Sequence, residues 1–523
     1  MTIGSGFKIT YSTLAQPAEE VHQAFENAAT QVRAGLGGEV PFFVDGEAVE
    51  TTARIEGRSP IDERVAIAHF ASAGREHVAA AIAAANRAFP AWRDTPWRER
   101  VRLLRGAADL IGERRFEIAA LMAFEVGKTR FESLADAEEA ADLLRYYCQC
   151  VEDADGFERP MGSLQPGERT LDVLRPYGAW MVISPFNFPL ALAAGMAAGA
   201  LVGGNTVVIK PATAAAATGL ELYRALADAG LPHGVVNLVT GPGPAVGEEL
   251  AANDGVAGLV FTGSKEVGLR LWRDFNRNWP RPTLLEVGGK NPTVVSARAD
   301  PELAAEGTAR AAFGFGGQKC SACSRVYVEE AVAAAFEELL LEKTRALRLG
   351  DPLERDTYLG PVIDAAAVRR FERAAELARR DGRVLCGGAV RRDGDLSRGH
   401  FVEPTIVTGL PRDHELLHEE LFLPFLCLER VPSFDEAITR ANRTEYGLTA
   451  GVYSRDAEEL QRFFGRIEAG VTYANRRSGA TTGAWPGVNP FCGWKASGSA
   501  GKGVCGPYYV QQFLREQSRT VME

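Results

Sequence analysis

Cys320 stands in the stretch Phe313-Gly-Phe-Gly-Gly-Gln-Lys-Cys-Ser-Ala-Cys-Ser-Arg325, among Gly, Gln, Lys and Ser. A structural cysteine would normally sit inside an apolar periodic segment. A glycine-rich loop instead presents free backbone N–H groups that stabilise a thiolate, so this cysteine has the surroundings of a nucleophile. Cys320 and Cys323 also form a C-x-x-C pair. Zinc would want a second such pair or nearby histidines, and the only other close pair is Cys148 and Cys150. A redox pair would open a helix, whereas the run Val326-Tyr-Val328 that follows reads as a strand. Cys323 is therefore read as a small packing residue, and no metal is expected.

Such a loop must be positioned by regular elements, and from Ala179 to about Lys290 strands and helices alternate. Strands are expected at 180–184, 206–210, 235–239 and 258–261, and helices at 191–201, 214–229, 245–252 and 265–275. Strands separated by helices of this length give a parallel sheet wound on both faces, which binds ligands at the C-terminal ends of its strands. Those ends carry suggestive chemistry. Thr240-Gly-Pro-Gly-Pro-Ala-Val-Gly247 places Gly243 and Gly247 in a glycine-rich turn, one residue longer than the usual dinucleotide fingerprint. Gly263 and Ser264 precede a helix, where a phosphate meets free N–H groups and a hydroxyl. The plain alternative for Ser264 is a helix N-cap. Lys210 ends another strand and points toward the ligand crevice. Three such ends in one sheet favour a nucleotide site.

A second α/β unit follows. Strands are expected at 291–296, 326–328, 360–363, 401–407 and 451–453, and helices at 304–312, 331–347, 365–380, 434–442 and 457–464. Before the first unit, Phe42–Val49 reads as a hairpin around Asp45-Gly46, and residues 75–125 and 134–150 carry helical periodicity. The turn-rich segment 156–176 ends in alternating Thr170-Leu-Asp-Val-Leu-Arg175, a protruding hairpin. Residues 477–506 are rich in glycine and read as a functional loop.

The bulk properties bound the function. A chain of 523 residues needs two or three domains, and 46% hydrophobic with 24% charged residues is ordinary for a soluble globular protein. The net charge of −10 gives no general attraction for nucleic acid or anionic membrane. The longest apolar run, Leu190 to Gly204, is too short for a membrane span and reads as a buried helix. The N-terminus lacks a signal-peptide pattern, and eight cysteines do not make a disulfide scaffold. A cytoplasmic setting is expected.

Taken together, these stretches identify the chain as similar to the NAD(P)-dependent aldehyde dehydrogenase superfamily over roughly residues 40–520. The motifs are Ser184-Pro-Phe-Asn-Phe-Pro189, Val208-Ile-Lys-Pro211, Leu285-Glu-Val-Gly-Gly-Lys-Asn-Pro292, Gly317-Gln-Lys-Cys-Ser-Ala322 and Glu419-Glu-Leu-Phe-Leu-Pro424, in the family's order. The resemblance implies an α/β fold of two doubly wound parallel domains plus a small β oligomerisation flap. Residues 1–155 and 177–286 would form the NAD(P)-binding domain and 287–490 the catalytic domain. Residues 156–176 and 491–523 would form the flap, making a homodimer or larger assembly.

The same resemblance assigns roles. Cys320 would be the nucleophile, Glu286 the base that activates water, and Asn187 the oxyanion donor beside the Cys320 backbone N–H. A thiohemiacetal would give up hydride and leave a thioester for hydrolysis. NAD would be held by Ser184, Phe186, Lys210, Thr213, Gly243, Gly247, Gly263, Ser264, Glu420 and Phe422. Many NAD-preferring relatives have an acid at the position of Thr213, so NADP is expected to be tolerated beside NAD. Leu423 departs from the family's usual glycine.

Within the superfamily the chain resembles the glutamate γ-semialdehyde dehydrogenases. The shared stretches are Asp142-Leu-Leu-Arg-Tyr-Tyr147, Lys319-Cys-Ser-Ala-Cys-Ser324, Tyr473-Ala-Asn-Arg476, Thr482-Gly-Ala484, Pro490-Phe491, Ser497-Gly498 and Gly506-Pro-Tyr-Tyr509. Gly483 and Ala484 would bind the substrate's α-carboxylate through backbone N–H groups, with help from Ser321. Phe188 and Phe491 would sandwich its aliphatic chain. The chain departs from that subfamily at Cys492 and Trp494, and by a short insertion at Ser478-Gly-Ala-Thr481. Other aldehydes, or transfer of the acyl group to coenzyme A, are the competing readings. Glu286 argues against the second, because a water-activating base would waste the thioester. A binding protein on an inactive scaffold would lack Cys320 or Glu286.

Overall fold

A computed structural model describes residue 10, residues 18–477 and residues 484–523. Two seven-stranded sheets organise the chain. In the first, Thr283–Glu286, Gly258–Thr262, Ala179–Ile183, Thr206–Lys210 and Val236–Leu238 run parallel in that order, and the hairpin Phe42–Val44/Glu47–Val49 closes the edge antiparallel. The central strands Ala179–Ile183, Thr206–Lys210 and Gly258–Thr262 are buried along their whole length, as their unbroken apolar runs require of a sheet covered on both faces. The hairpin turn is Asp45-Gly46, both at positive φ (56° and 83°), the geometry a two-residue turn needs to match strand twist.

In the second sheet, Thr405–Thr408, Phe425–Val431, Cys323–Glu329, Asn291–Val295, Thr449–Tyr453 and Val471–Ala474 run parallel, with Arg383–Cys386 antiparallel at one edge. A separate three-stranded antiparallel sheet joins Glu158–Pro160, Glu168–Pro176 and the C-terminal strand Leu514–Met522. Two small sheets complete the list: Gly38–Val40, Ala66–Ala71 and Arg54–Arg58, and Tyr446–Gly447 with Trp494–Lys495.

The expected helices appear, most of them with ends within two residues of those expected. Ala191–Val202 is buried apart from Leu192, which settles the apolar run as core. Two strand expectations are corrected. Residues 360–363 are a loop, because the Gln318 side chain takes the Ile363 N–H (2.8 Å) and the Pro361 carbonyl (3.3 Å) that a ladder would use. The strand expected at 401–407 begins only at Thr405. At the C-terminus, Val510–Phe513 is a short 3-10 turn, and the strand starts at Leu514. That turn is pinned to the first sheet: the Asn205 amide donates to the Phe513 carbonyl (2.9 Å) while its oxygen accepts from the Trp180 indole (3.2 Å).

Candidate active site

The Cys320 loop is built by glycine and by its neighbours. Helix Pro301–Phe313 ends in the turn Gly314–Gly317, where Phe315, Gly316 and Gly317 all have positive φ (49°, 59° and 68°). A side chain on Gly317 would run into the Leu423 backbone, so glycine there permits the close approach of the 419–424 segment. Asn291 holds the far side, donating to the carbonyls of Cys320 (2.8 Å) and Ala322 (3.0 Å) and accepting from Thr449 N–H (3.0 Å). Lys319 is tied to Glu132 at 2.6 Å.

The motif that ends the first sheet meets this loop from below. Glu286 is the last residue of Thr283–Glu286. Gly288, with φ 77°, leaves room for the Glu420 carboxylate, and a Cβ on Gly289 would lie 2.5 Å from the Cys320 carbonyl. The Gly289 N–H donates to Glu420 (2.8 Å). The two glycines thus let three chain segments converge around one thiol.

Burial governs the electrostatics. It pushes the Glu286 carboxyl up to about 8, against one weak donor, the Gly493 N–H at 3.5 Å. The second Glu286 oxygen is buried without a hydrogen-bond partner among the described residues. Burial also raises the Cys320 thiol far above its ordinary value, and the Glu286 and Glu420 carboxylates add to this; the N–H groups of Ser321 and Cys320 pull the other way. This corrects the expectation of a loop that stabilises the thiolate by itself. The loop amides do donate, but enclosure and two acids outweigh them, so the resting group is the thiol. Cys323 is buried against Thr293 Oγ1 (3.1 Å), as a packing residue should be. All eight cysteines are free, and no metal-binding cluster of His, Cys, Asp or Glu is present among the described residues.

Asn187 is buried in the irregular segment between strand Ala179–Ile183 and helix Ala191–Val202. Phe186 beside it stands edge-on to Phe422, with ring centroids 5.8 Å apart, and Phe422 has φ 59°. Phe188 lies under the Lys128 ammonium, 3.9 Å from ring centroid to Nζ. Ser321 is buried, and its carbonyl accepts from Thr449 Oγ1 (3.2 Å). Ala484 packs at the margin of the main core, and the Phe491 N–H donates to Val504 O (2.7 Å). Gly483 lies outside the described residues, as does the insertion at 478–481.

Several residues expected to hold a cofactor lie at or just past the aligned strand ends, where Ile183 pairs Lys210 and Thr262 pairs Glu286. Burial lowers Lys210 to about 8, and its ammonium donates to the adjacent Pro211 carbonyl (3.0 Å). Ser184 Oγ is buried with no hydrogen-bond partner among the described residues. A stripped ammonium and an orphaned hydroxyl on one sheet edge fit a polar, hydroxyl-bearing ligand such as a dinucleotide. Gly243 opens helix Gly243–Ala252 with nothing within 4 Å of its would-be Cβ, and Gly247 lies one turn on, facing Ile183. Two of these residues also serve the fold. The Gly263 N–H is committed to the Glu286 carbonyl (3.2 Å), and its missing side chain makes room for the Phe261 ring. The Ser264 hydroxyl caps helix Lys265–Phe275 by accepting from Val267 N–H (3.5 Å). Thr213 is exposed, and its hydroxyl donates to the Gly241 carbonyl (3.2 Å).

Sequence reasoning missed the supports. Asn291 and Lys290 lie inside a quoted motif yet had no role assigned. Lys290 is fully enclosed, its Nζ has no hydrogen-bond partner, and burial lowers it to about 8. Its carbonyl is gripped by the buried Arg325 guanidinium at 3.0 and 2.6 Å. Lys128, Glu132 and Asp136 carried no local signal, because their partners are distant in the chain.

The model of the aldehyde dehydrogenase family matches residues 43–518. The chain belongs to that family. Curated relatives named 1-pyrroline-5-carboxylate dehydrogenase are 39% identical over 512 residues in Bacillus licheniformis and 38% identical over 507 residues in Bacillus subtilis, covering 97% and 96% of both chains respectively. A crystal structure of 1-pyrroline-5-carboxylate dehydrogenase from Thermus with bound NAD superposes with a TM-score of 0.93 at 35% identity over all of both chains. Betaine aldehyde dehydrogenase from Staphylococcus aureus is more distant, with a TM-score of 0.89 at 28% identity over 94% of this chain and 96% of that one.

Proposed function

We propose that this family member oxidises glutamate γ-semialdehyde, the open-chain form of 1-pyrroline-5-carboxylate, to glutamate with NAD. The observation that carries the reading is the Cys320–Glu286 pair: a thiol in the field of a buried carboxyl that keeps one oxygen unpartnered. The near full-length likeness to 1-pyrroline-5-carboxylate dehydrogenases supports the substrate. NAD, held by Lys210, Ser184, Ser264, Glu420 and Phe186, supplies the hydride acceptor.

The chain's own residues do the rest. The Cys320 sulfur bonds to the aldehyde carbon as its proton passes to the Glu286 carboxylate. Asn187 and the Cys320 N–H hold the oxyanion, and loss of one such donor costs about 10²–10³ in rate. Once hydride has left for the cofactor and the carbon is a thioester, Glu286 gives up the first proton to solvent and takes one from water. The hydroxide adds, and the C–S bond breaks as Glu286 returns that proton to the sulfur, releasing the acid and the thiol. Ser321 and the amides of Gly483 and Ala484 would hold the α-carboxylate, with Phe188 and Phe491 along the carbon chain.

The domain division stated above, a cytoplasmic setting and assembly through the 158–176/514–522 sheet belong to the same proposal. Val521 and Met522 on that sheet, with Met161 and Leu164 in its hairpin loop, are exposed and support assembly. Among the described residues no helix is long and apolar enough to cross a membrane. A cofactor-reduction assay over an aldehyde panel tests the reaction. Turnover of glutamate γ-semialdehyde, lost in Cys320→Ala, is expected; good turnover of simple aldehydes with none of the semialdehyde would reject the substrate.

A further inference from the structure

Lys128 is a charged side chain with no accessible surface, placed where an apolar residue would pack. Gly127, left-handed at φ 74°, ends helix Arg115–Val126, and Lys128 then turns inward before helix Arg130–Asp153 begins. An ammonium has three N–H groups to satisfy. One goes to Asp136 Oδ2 at 2.6 Å and one to the Asn187 carbonyl at 2.9 Å. The remaining face lies over the Phe188 ring, with the Phe315 ring of the cysteine loop 5.2 Å away. Asp136 is also fully buried, and its second oxygen accepts from Ala191 N–H at 2.8 Å. The pair therefore grips the irregular segment at both ends, at Asn187 through the ammonium and at Ala191 directly. Burying two charges is costly, and an apolar pair of the same volume would fill the space as well. What an apolar pair would not do is hold one carbonyl.

We propose that Lys128 is a positioning residue for catalysis: by fixing the Asn187 carbonyl, the buried Lys128–Asp136 pair sets the peptide plane from which the Asn187 side chain reaches the oxyanion. The contact with Phe315 ties that setting to the loop carrying Cys320, so donor and nucleophile keep their spacing. A displaced donor loses its advantage steeply, because stabilisation of the oxyanion depends on preorganised geometry. The inference rests on the oxyanion role of Asn187 proposed above.

The test is a double-mutant cycle on the full-length enzyme between Lys128→Met and Asn187→Ala. Lys128→Met alone is expected to lower kcat by about 10- to 100-fold. NAD binding and the rate of Cys320 alkylation should stay within about 3-fold of wild type. In the Asn187→Ala background the same substitution should cost less than about 3-fold, because the group it positions is gone. Equal losses in both backgrounds, or no loss in either, would overturn the proposal. If Asn187→Ala itself leaves turnover intact, the oxyanion reading fails instead, and the two failures are distinct. Should Lys128→Met leave Asp136 unpaired and the chain misfolded, Lys128→Met/Asp136→Asn, which removes both charges together, takes its place in the cycle. Asp136→Asn alone, which keeps the acceptor for Ala191, is read alongside it.

Discussion

At Glu286 the enclosure that makes the carboxyl a useful base also makes it a liability for stability. The folded chain holds a proton that the unfolded chain releases in the ordinary carboxyl range, so stability is greatest below that range and falls as pH rises through about 8. Glu125 and Glu420, both pushed up to about 7 by burial, act with the same sign. Activity runs the other way, since only ionised Glu286 accepts a proton. Turnover is expected to rise with pH through about 8. Glu286→Gln should remove that limb, lower steady-state turnover by about 10²–10⁴, and slow the first burst of reduced cofactor as well, because the same carboxylate takes the Cys320 proton. The same variant should flatten the fall of Tm between pH 6 and 9, measured by calorimetry. At the cofactor end, Thr213→Glu is expected to lower kcat/KM for NADP at least about 10-fold while sparing NAD, through repulsion of a 2′-phosphate. Coenzyme titration reads it, and strict rejection of NADP by the wild type would sink the underlying idea.

At the scale of elements, helix Arg130–Asp153 is the member that gathers the site. Glu132 and Asp136, one turn apart on one face, reach Lys319 of the cysteine loop and Lys128 beneath Asn187. Further along, Asp142 accepts from the Trp485 indole at 2.7 Å, and the Tyr147 hydroxyl accepts from Cys505 N–H at 3.2 Å. A single helix thus touches the loop of the nucleophile, the segment of the oxyanion donor and the stretch that follows Ala484. Trp485→Phe keeps the ring and removes the hydrogen bond to a carboxylate. It should raise KM for glutamate γ-semialdehyde about 10-fold and leave KM for a neutral aldehyde unchanged. The reason is that Trp485 follows Ala484, whose amide would hold the substrate's carboxylate; equal effects on both substrates would show that the Asp142 contact does not position that amide. In the cysteine loop, Gly317→Ala forces a side chain into the left-handed region and against the Leu423 backbone. A loss of at least about 1–3 kcal/mol is expected in chemical denaturation.

At the scale of the molecule, the two parallel sheets bring their active edges together, and the third sheet stands apart. Leu164, in the hairpin loop of that sheet, is 97% exposed, with Met161, Val521 and Met522 also open to solvent. Apolar groups clustered on a protruding strand pair are best satisfied by another copy of the chain. Light scattering should report a dimer or larger, and removal of residues 515–523 should shift it toward monomer. A wild-type chain that runs only as monomer contradicts the assembly.

The sequence by itself determined the local elements and the reacting groups. Alternating strand and helix, apolar runs and glycine turns are short-range properties, so the parallel sheets, the Asp45-Gly46 hairpin and the helix Ala191–Val202 were legible. Cys320 stood out because a reactive side chain in a polar, glycine-rich setting is unusual, whereas Glu286 and Asn187 were named only through motifs whose order matched a known family. Only the tertiary structure decided what enclosure did to them. The Cys320 thiol is raised, not lowered, because two acids from distant segments and the surrounding protein outweigh the loop's own amides. The Gly263 amide is spent on the sheet, and Gln318 takes the groups of residues 361–363, since each partner lies far away in sequence. Lys128 and Asp136 look like ordinary surface charges when read along the chain. Their burial arises only when two helices and the Asn187 segment close around them, and desolvation, which sets what a charge can do, is a property of that closure.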